Sequence, residues 1–160
     1  MSASTLQTPL LFLDVDGVLN TSLQQGGKYV HPLLVKRLKK VVDSTHCSII
    51  ISSTWRKRDD YMQYLRGMFG DVGLEEMVIK GNTISLEVTN KEGVILTPEQ
   101  LRGDEIKAYV AEVGEGLRWV AVDDMDLCRE LEEDNFVRTN VESGLSSKNV
   151  NELIEKLSNK

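Results

Sequence analysis

Leu10-Leu11-Phe12-Leu13-Asp14-Val15-Asp16-Gly17-Val18-Leu19-Asn20 is an apolar run that stops at two carboxylates one residue apart and then a glycine. The run Leu10 to Leu13 predicts a short strand buried on both faces, as at the centre of a parallel sheet. Side chains alternate along a strand, so Asp14 and Asp16 share a side if the extended geometry persists. Gly17 allows a sharp turn just past the strand end. Acids at the C-terminal edge of a parallel strand stand where open α/β sheets bind ligands. A plain turn accounts for Gly17 and one Asp. It does not account for two mutually repelling acids at the end of a deeply apolar strand, which a cation between them does.

Two later stretches repeat the pattern. Ser48-Ile49-Ile50-Ile51 is a β-branched run that breaks into Ser52-Ser53-Thr54-Trp55-Arg56. Those hydroxyls either cap the next helix or donate hydrogen bonds to a phosphate. Arg118-Trp119-Val120-Ala121-Val122 again stops in acids, Asp123 and Asp124. Between and around these runs lie helical patterns. His31-Pro32 opens one, with Leu34, Leu38, Val41 and Val42 on its apolar face. Its other face, Lys36, Arg37, Lys39 and Lys40, reads as solvated, with a nucleic-acid contact as the alternative. Residues 60–70 place Tyr61, Tyr64, Leu65, Met68 and Phe69 at helical spacing, as core. Met77 to Ile79 reads as a strand, residues 81–96 as a small hairpin or meander, and residues 21–30 as a loop or flap. Thr97 and Gln100 have the spacing of a capping box. A helix start at Gly103 is nonetheless preferred, because glycine weakens a helix interior. A short helix over 126–133, a strand at Phe136-Val137-Arg138, and a last helix capped by Ser146 or Ser147 complete the chain. Strands alternating with helices specify an α/β fold with a central parallel sheet and helices on both faces.

Size and charge narrow the function. A chain of 160 residues with no linker composition predicts one domain, with residues 1–8 as a flexible tail. The net charge of -6 argues against a general nucleic-acid binder. No apolar run approaches the roughly 20 residues of a membrane span, and residues 1–8 lack the features of a signal peptide. Cys47 and Cys128 make no disulfide framework. The expectation is a cytoplasmic protein with no membrane partner. Three strand ends carrying Asp/Asp, Ser/Ser/Thr and Asp/Asp would gather at one sheet edge. Four carboxylates there demand a cation, and oxygen-only ligands favour Mg²⁺. Carboxylate, metal and hydroxyls together point to phosphoryl transfer.

The order of these motifs resembles the haloacid dehalogenase (HAD) superfamily, from Leu10 to about Leu157. Asp14-x-Asp16 matches its first motif, the hydroxyls after Ile51 its second, and Asp123-Asp124 its acidic fourth. Asp14 to Asn20, Ser52 to Arg56, Arg102-Gly-Asp-Glu-Ile106 and Gly144-Leu145 are similar to a compact subgroup, the HAD domains of "Swiss army knife" RNA-repair proteins. The resemblance implies a Rossmann-like HAD fold and a Mg²⁺-dependent phosphatase acting through an aspartyl phosphate on a phosphomonoester. Asp14 would be nucleophile and metal ligand. Asp16 would be acid and base, its backbone carbonyl binding the metal. Ser53, rather than Ser52, would hold the phosphoryl oxygens, with Ser52, Thr54 and Arg56 as further substrate contacts. Asp124 would complete the metal site, with Asp123 as second candidate. The third motif is usually lysine. Here Arg102 occupies its place, with Lys107 as the other cation. The gaps between motifs hold no large cap domain, which leaves an open site. Two other readings stand beside this one: a catalytically weak phosphate- or phosphopeptide-binding module, and a phosphatase of nucleic-acid ends. The acidic net charge disfavours the last.

Overall fold

The computed structural model describes residues 8–23 and 29–158. Five parallel strands form one sheet: β1 (Leu10–Leu13), β2 (Ser48–Ile51), β3 (Ile79–Asn82), β4 (Trp119–Asp123) and β5 (Phe136–Arg138), in the spatial order β3-β2-β1-β4-β5. The opening apolar stretch is therefore the central strand, and its four residues are all buried. Leu11 and Leu13 face one core with Ile49, Ile51, Val120 and Val122; Leu10 and Phe12 face the other with Ile50 and Ala121. Burying each such side chain contributes roughly 1.5–3 kcal/mol.

The helices cover both faces unevenly. α1 (Pro32–Thr45), α2 (Asp59–Asp71) and α4 (Ser147–Ser158) supply the first core through Leu34, Leu38, Leu65, Phe69, Val150 and Leu153. α3 (Pro98–Tyr109) supplies the second through Ile106, together with Leu127 and Leu131. α1, α3 and α4 begin where a side chain meets their free N–H groups. His31 Nδ1 accepts from Leu33 N–H at 3.1 Å, and Ser146 and Asn149 cap each other's backbone at 3.1 and 3.0 Å. Among the described residues no large cap domain is inserted between the strands. Among the described residues no helix is long and apolar enough to cross a membrane.

Four local expectations are corrected. α3 starts at Pro98 with the Thr97–Gln100 capping box fully formed, so Gly103 lies inside the helix. It is tolerated there because a Cβ would stand 2.6 Å from Glu130 Cβ: the helix needs its narrowest residue at this crossing. Residues 126–133 form no helix but a single turn in which Leu127 O accepts from Glu130 and Leu131, filling the core with Leu127 and Leu131. Met77 lies in a 3-10 turn (Glu76–Val78), 70% exposed, and β3 begins only at Ile79. In residues 81–96, Gly81 and Asn82 belong to β3 and the hairpin shrinks to one bridge, Thr89 with Ile95, around the turn at Gly93. Half of the proposed flap over 21–30 falls on residues 24–28, and the flexible tail mostly on 1–7. Both segments lie outside the described residues.

Candidate active site

Sheet register assembles the site. β1 pairs with β2 and β4 such that Leu13 lies beside Ile51 and Val122. One residue further, Ser52 N–H donates to Leu13 O at 3.0 Å and Asp14 N–H to Val122 O at 3.2 Å. Asp14, Ser52 and Asp123 therefore stand in one row at the C-terminal edge. Alternation turns all three toward the face that α3 covers. Thr83, just past the end of β3, extends the row, its N–H donating to Ile51 O.

Asp14, Asp123 and Asp124 bring one carboxylate oxygen each within 4.8 Å of one another. Burial, reinforced by Asp123, holds the Asp14 carboxyl well above the ordinary carboxylate range, while Arg102 pulls it down. Arg102 reaches in from α3. Its Nη1 lies 2.5 Å from Asp123 Oδ2 and 3.4 Å from Asp14 Oδ1. Burial works against the charge of this guanidinium; Asp123 and then Asp14 more than restore it. Asp123 Oδ1 also accepts from Met125 N–H at 2.9 Å, so both its oxygens are engaged. Asp124 packs on Gly17, where a Cβ would stand 2.5 Å from its Oδ2. Gly17 is held at φ +80, and its carbonyl accepts from Thr139 Oγ1 at 2.7 Å. The donor set is oxygen only and three acids crowd a space that one guanidinium partly neutralises. It fits a hard divalent cation.

The segment after β2 divides its labour. Ser52 Oγ and Thr83 Oγ1 are buried and have no hydrogen-bond partner among the described residues. Ser53 Oγ accepts from Trp55 N–H at 3.1 Å, capping the 3-10 turn Thr54–Lys57. Thr54 is exposed at the start of that turn. Arg56 points inward: it donates to Thr83 O, Ser52 O, Ser53 O and Ser85 Oγ and pairs with Glu105 at 3.1 Å. Glu105 Oε2 accepts from Leu86 N–H. This buried pair ties β2, the chain after β3 and the arginine-bearing helix into one frame.

The structure does not bring every expected residue to the cluster. The chain leaves extended geometry after Asp14, where Val15 O accepts from Val18 and Leu19, so the Asp16 carboxylate parts from that of Asp14. It receives Asn20 Nδ2 at 2.9 Å and Trp55 Nε1 at 3.2 Å instead. Lys107 is exposed and lies 4.0 Å from Asp104 on its own helix. Thr83, Glu105 and Asn20 went unnoticed in the sequence as site residues. Asn20 had a signal, since an Asn four residues after an Asp in a glycine turn is a ready side-chain partner. Two open grooves flank the acids. One, about 310 Å³, is lined by Asp16, Asn20, Thr21, Asp124 and Val141; the other, about 610 Å³, by Asp124, Arg138 and Asn140. A larger cavity of about 670 Å³ opens beside His46, Cys47 and Leu74, at the opposite edge of the sheet from the acids.

The family described as "HAD domain in Swiss Army Knife RNA repair proteins" matches residues 10–150. No curated protein and no solved structure gives a match.

Proposed function

The chain belongs to the family of HAD domains found in Swiss Army Knife RNA repair proteins, and on that premise we propose that it is a Mg²⁺-dependent phosphomonoesterase that works through an aspartyl phosphate on Asp14. The observation that carries the proposal is the acid cluster at the end of the central strand, with an arginine laid across it. Asp14, Asp124 and the Asp16 carbonyl would hold the ion, which supplies charge neutralisation for the phosphoryl oxygens.

The chain's own residues do the rest. A carboxylate oxygen of Asp14 attacks phosphorus, and the ester P–O bond breaks as the Asp14 O–P bond forms. The electron pair stays on the leaving oxygen, which takes the proton of Asp16. Asp16, now ionised, accepts a proton from water as the water oxygen attacks phosphorus. The acyl-phosphate P–O bond breaks, which returns the Asp14 carboxylate and releases inorganic phosphate. Arg102 meets the charge on the equatorial oxygens, and the free hydroxyl of Ser52 donates to one of them. Ser53 acts one step back by fixing the turn, and Asp123 by fixing Arg102.

The family's setting in RNA repair and the open grooves beside Asp124 make a phosphorylated RNA end the substrate class to examine first. A panel of phosphorylated oligonucleotides, nucleotides, phosphopeptides and sugar phosphates tests this, with Asp14→Asn as control. Turnover is expected to vanish in the variant while its thermal melt persists. Acid-quenched wild type is expected to carry phosphate on the Asp14 peptide. Near wild-type turnover by Asp14→Asn overturns the reading. A phosphate- or phosphopeptide-binding module would bind members of the panel and turn over none.

A further inference from the structure

Asp16 is held in an uncommon way. It sits exposed on a turn, yet two buried donors grip it: the Trp55 indole, with Nε1 3.2 Å from both Oδ1 and Oδ2, and the Asn20 amide, 2.9 Å from Oδ1. Trp55 is 2% and Asn20 4% exposed. Neither can follow a moving carboxylate. Asn20 Oδ1 is tied to Gly17 N–H at 2.9 Å. Trp55 is pinned through its backbone by the Ser53 cap and through its ring by Tyr61 and Tyr64, at centroid distances of 4.9 and 6.3 Å. An indole N–H is a donor only, so it can hold nothing but an acceptor oxygen.

The grip is also asymmetric. Oδ1 accepts from both donors, Oδ2 only from the shared indole bond. Oδ2 is the oxygen left with capacity to carry and pass a proton. Asp16 lines the groove of about 310 Å³ that runs from Asp124 past Asn20 and Val141.

We propose that Trp55, with Asn20, is a positioning residue that aims the Asp16 carboxyl at the leaving oxygen of a substrate lying in that groove. This rests on the reading of Asp16 as proton donor. General acid catalysis contributes typically 10²–10⁴-fold, but only with the acid in hydrogen-bond reach of the leaving atom, and a misplacement of about 1 Å can cost about 10². The sequence Ser53-Thr54-Trp55 thereby acquires a purpose as a unit: the serine caps the turn, and the turn presents the indole.

The test separates orientation from structure by leaving group. p-Nitrophenolate departs without a proton, whereas an alkoxide needs one. Trp55→Phe keeps the ring and removes the N–H. Kinetics of Trp55→Phe, Asp16→Asn and wild type are compared on p-nitrophenyl phosphate and on propyl phosphate. The expected result is a kcat/KM loss, which reports only the steps up to departure of the leaving group, about tenfold or more greater on propyl phosphate for Trp55→Phe, and the same selectivity, only larger, in Asp16→Asn. Equal losses on both substrates in Trp55→Phe, alongside a selective Asp16→Asn, overturn the proposal. A non-selective Asp16→Asn instead overturns the reading of Asp16 itself. If Trp55→Phe fails to fold, the indole N–H signals of Trp55 and Trp119 decide. Asp16→Ala, which removes both acceptor oxygens, should shift the first and speed its solvent exchange while leaving Trp119 in place; an unmoved Trp55 signal removes the bond and the proposal with it.

Discussion

At the scale of single residues, the question is which cation serves the acids. Arg102 and Lys107 are five positions apart on α3, and helix geometry sends them in different directions. Arg102 lies one turn inside the helix rather than at its mouth, and its length carries the guanidinium to both Asp14 and Asp123. Lys107 stays half exposed beside Asp104. Arg102→Ala is therefore expected to lower kcat by about 10²–10³, the usual cost of a lost transition-state donor. Lys107→Ala should leave activity near wild type. Parallel kinetics, with folding checked by thermal melts, decide the matter. A larger loss for Lys107→Ala would move the role to the lysine. Arg56, the other cation near the row, is committed to four backbone and side-chain acceptors besides Glu105. These bonds hold the frame around the row.

At the scale of elements, two glycines in two helices have opposite meanings. Gly67 of α2 has nothing within 4 Å of a built Cβ, so Gly67→Ala should gain helix propensity without a clash, about 0.5–1 kcal/mol. Gly103 of α3 faces Glu130 at 2.6 Å, and Gly103→Ala must push α3 off the turn that carries Leu127 and Leu131. Overpacking costs about 1–3 kcal/mol and should exceed the propensity gain. Urea denaturation of both variants measures the two signs. Equal stabilisation by both would show that the α3 crossing is loose. The same crossing explains why propensity misplaced the start of α3. Glycine's cost in a helix is about 1 kcal/mol, which the capping box and the close packing together outweigh.

At the scale of the whole molecule, the acid cluster sets a condition on folding. Folding gathers three carboxylates at the end of the central strand, and burial holds Asp14 in the direction of its neutral form. A cation that binds only the folded chain at 100 times its Kd stabilises by about 2.7 kcal/mol. For a domain of this size that is roughly 5–10 °C in Tm. Scanning calorimetry in chelator and in Mg²⁺ should show this rise. Asp124→Asn should melt higher than wild type in chelator, because one repelling charge is gone, and should lose most of the rise with Mg²⁺. A wild-type Tm indifferent to Mg²⁺ would remove the ion from the site.

The division between sequence and fold follows from how far each interaction reaches along the chain. Apolar runs ending in Asp14, Ser52 and Asp123, alternating with amphipathic helices, are local patterns. They determined the parallel α/β sheet, its central strand and the edge at which the chemistry gathers, because burial periodicity is written residue by residue. Side-chain partnership is not. Asp16 and Trp55 are 39 positions apart, and Arg56 and Glu105 are 49 apart. Only sheet register and helix packing decided that Asp16 turns from Asp14 to an indole, that Ser53 caps a turn while Ser52 keeps its hydroxyl free, that Arg56 faces inward, and that Arg102 spans two acids. A residue's type states which bonds it can make. Which of them it makes depends on groups brought near by the fold, where a buried donor or acceptor must find a partner among whatever register has set beside it.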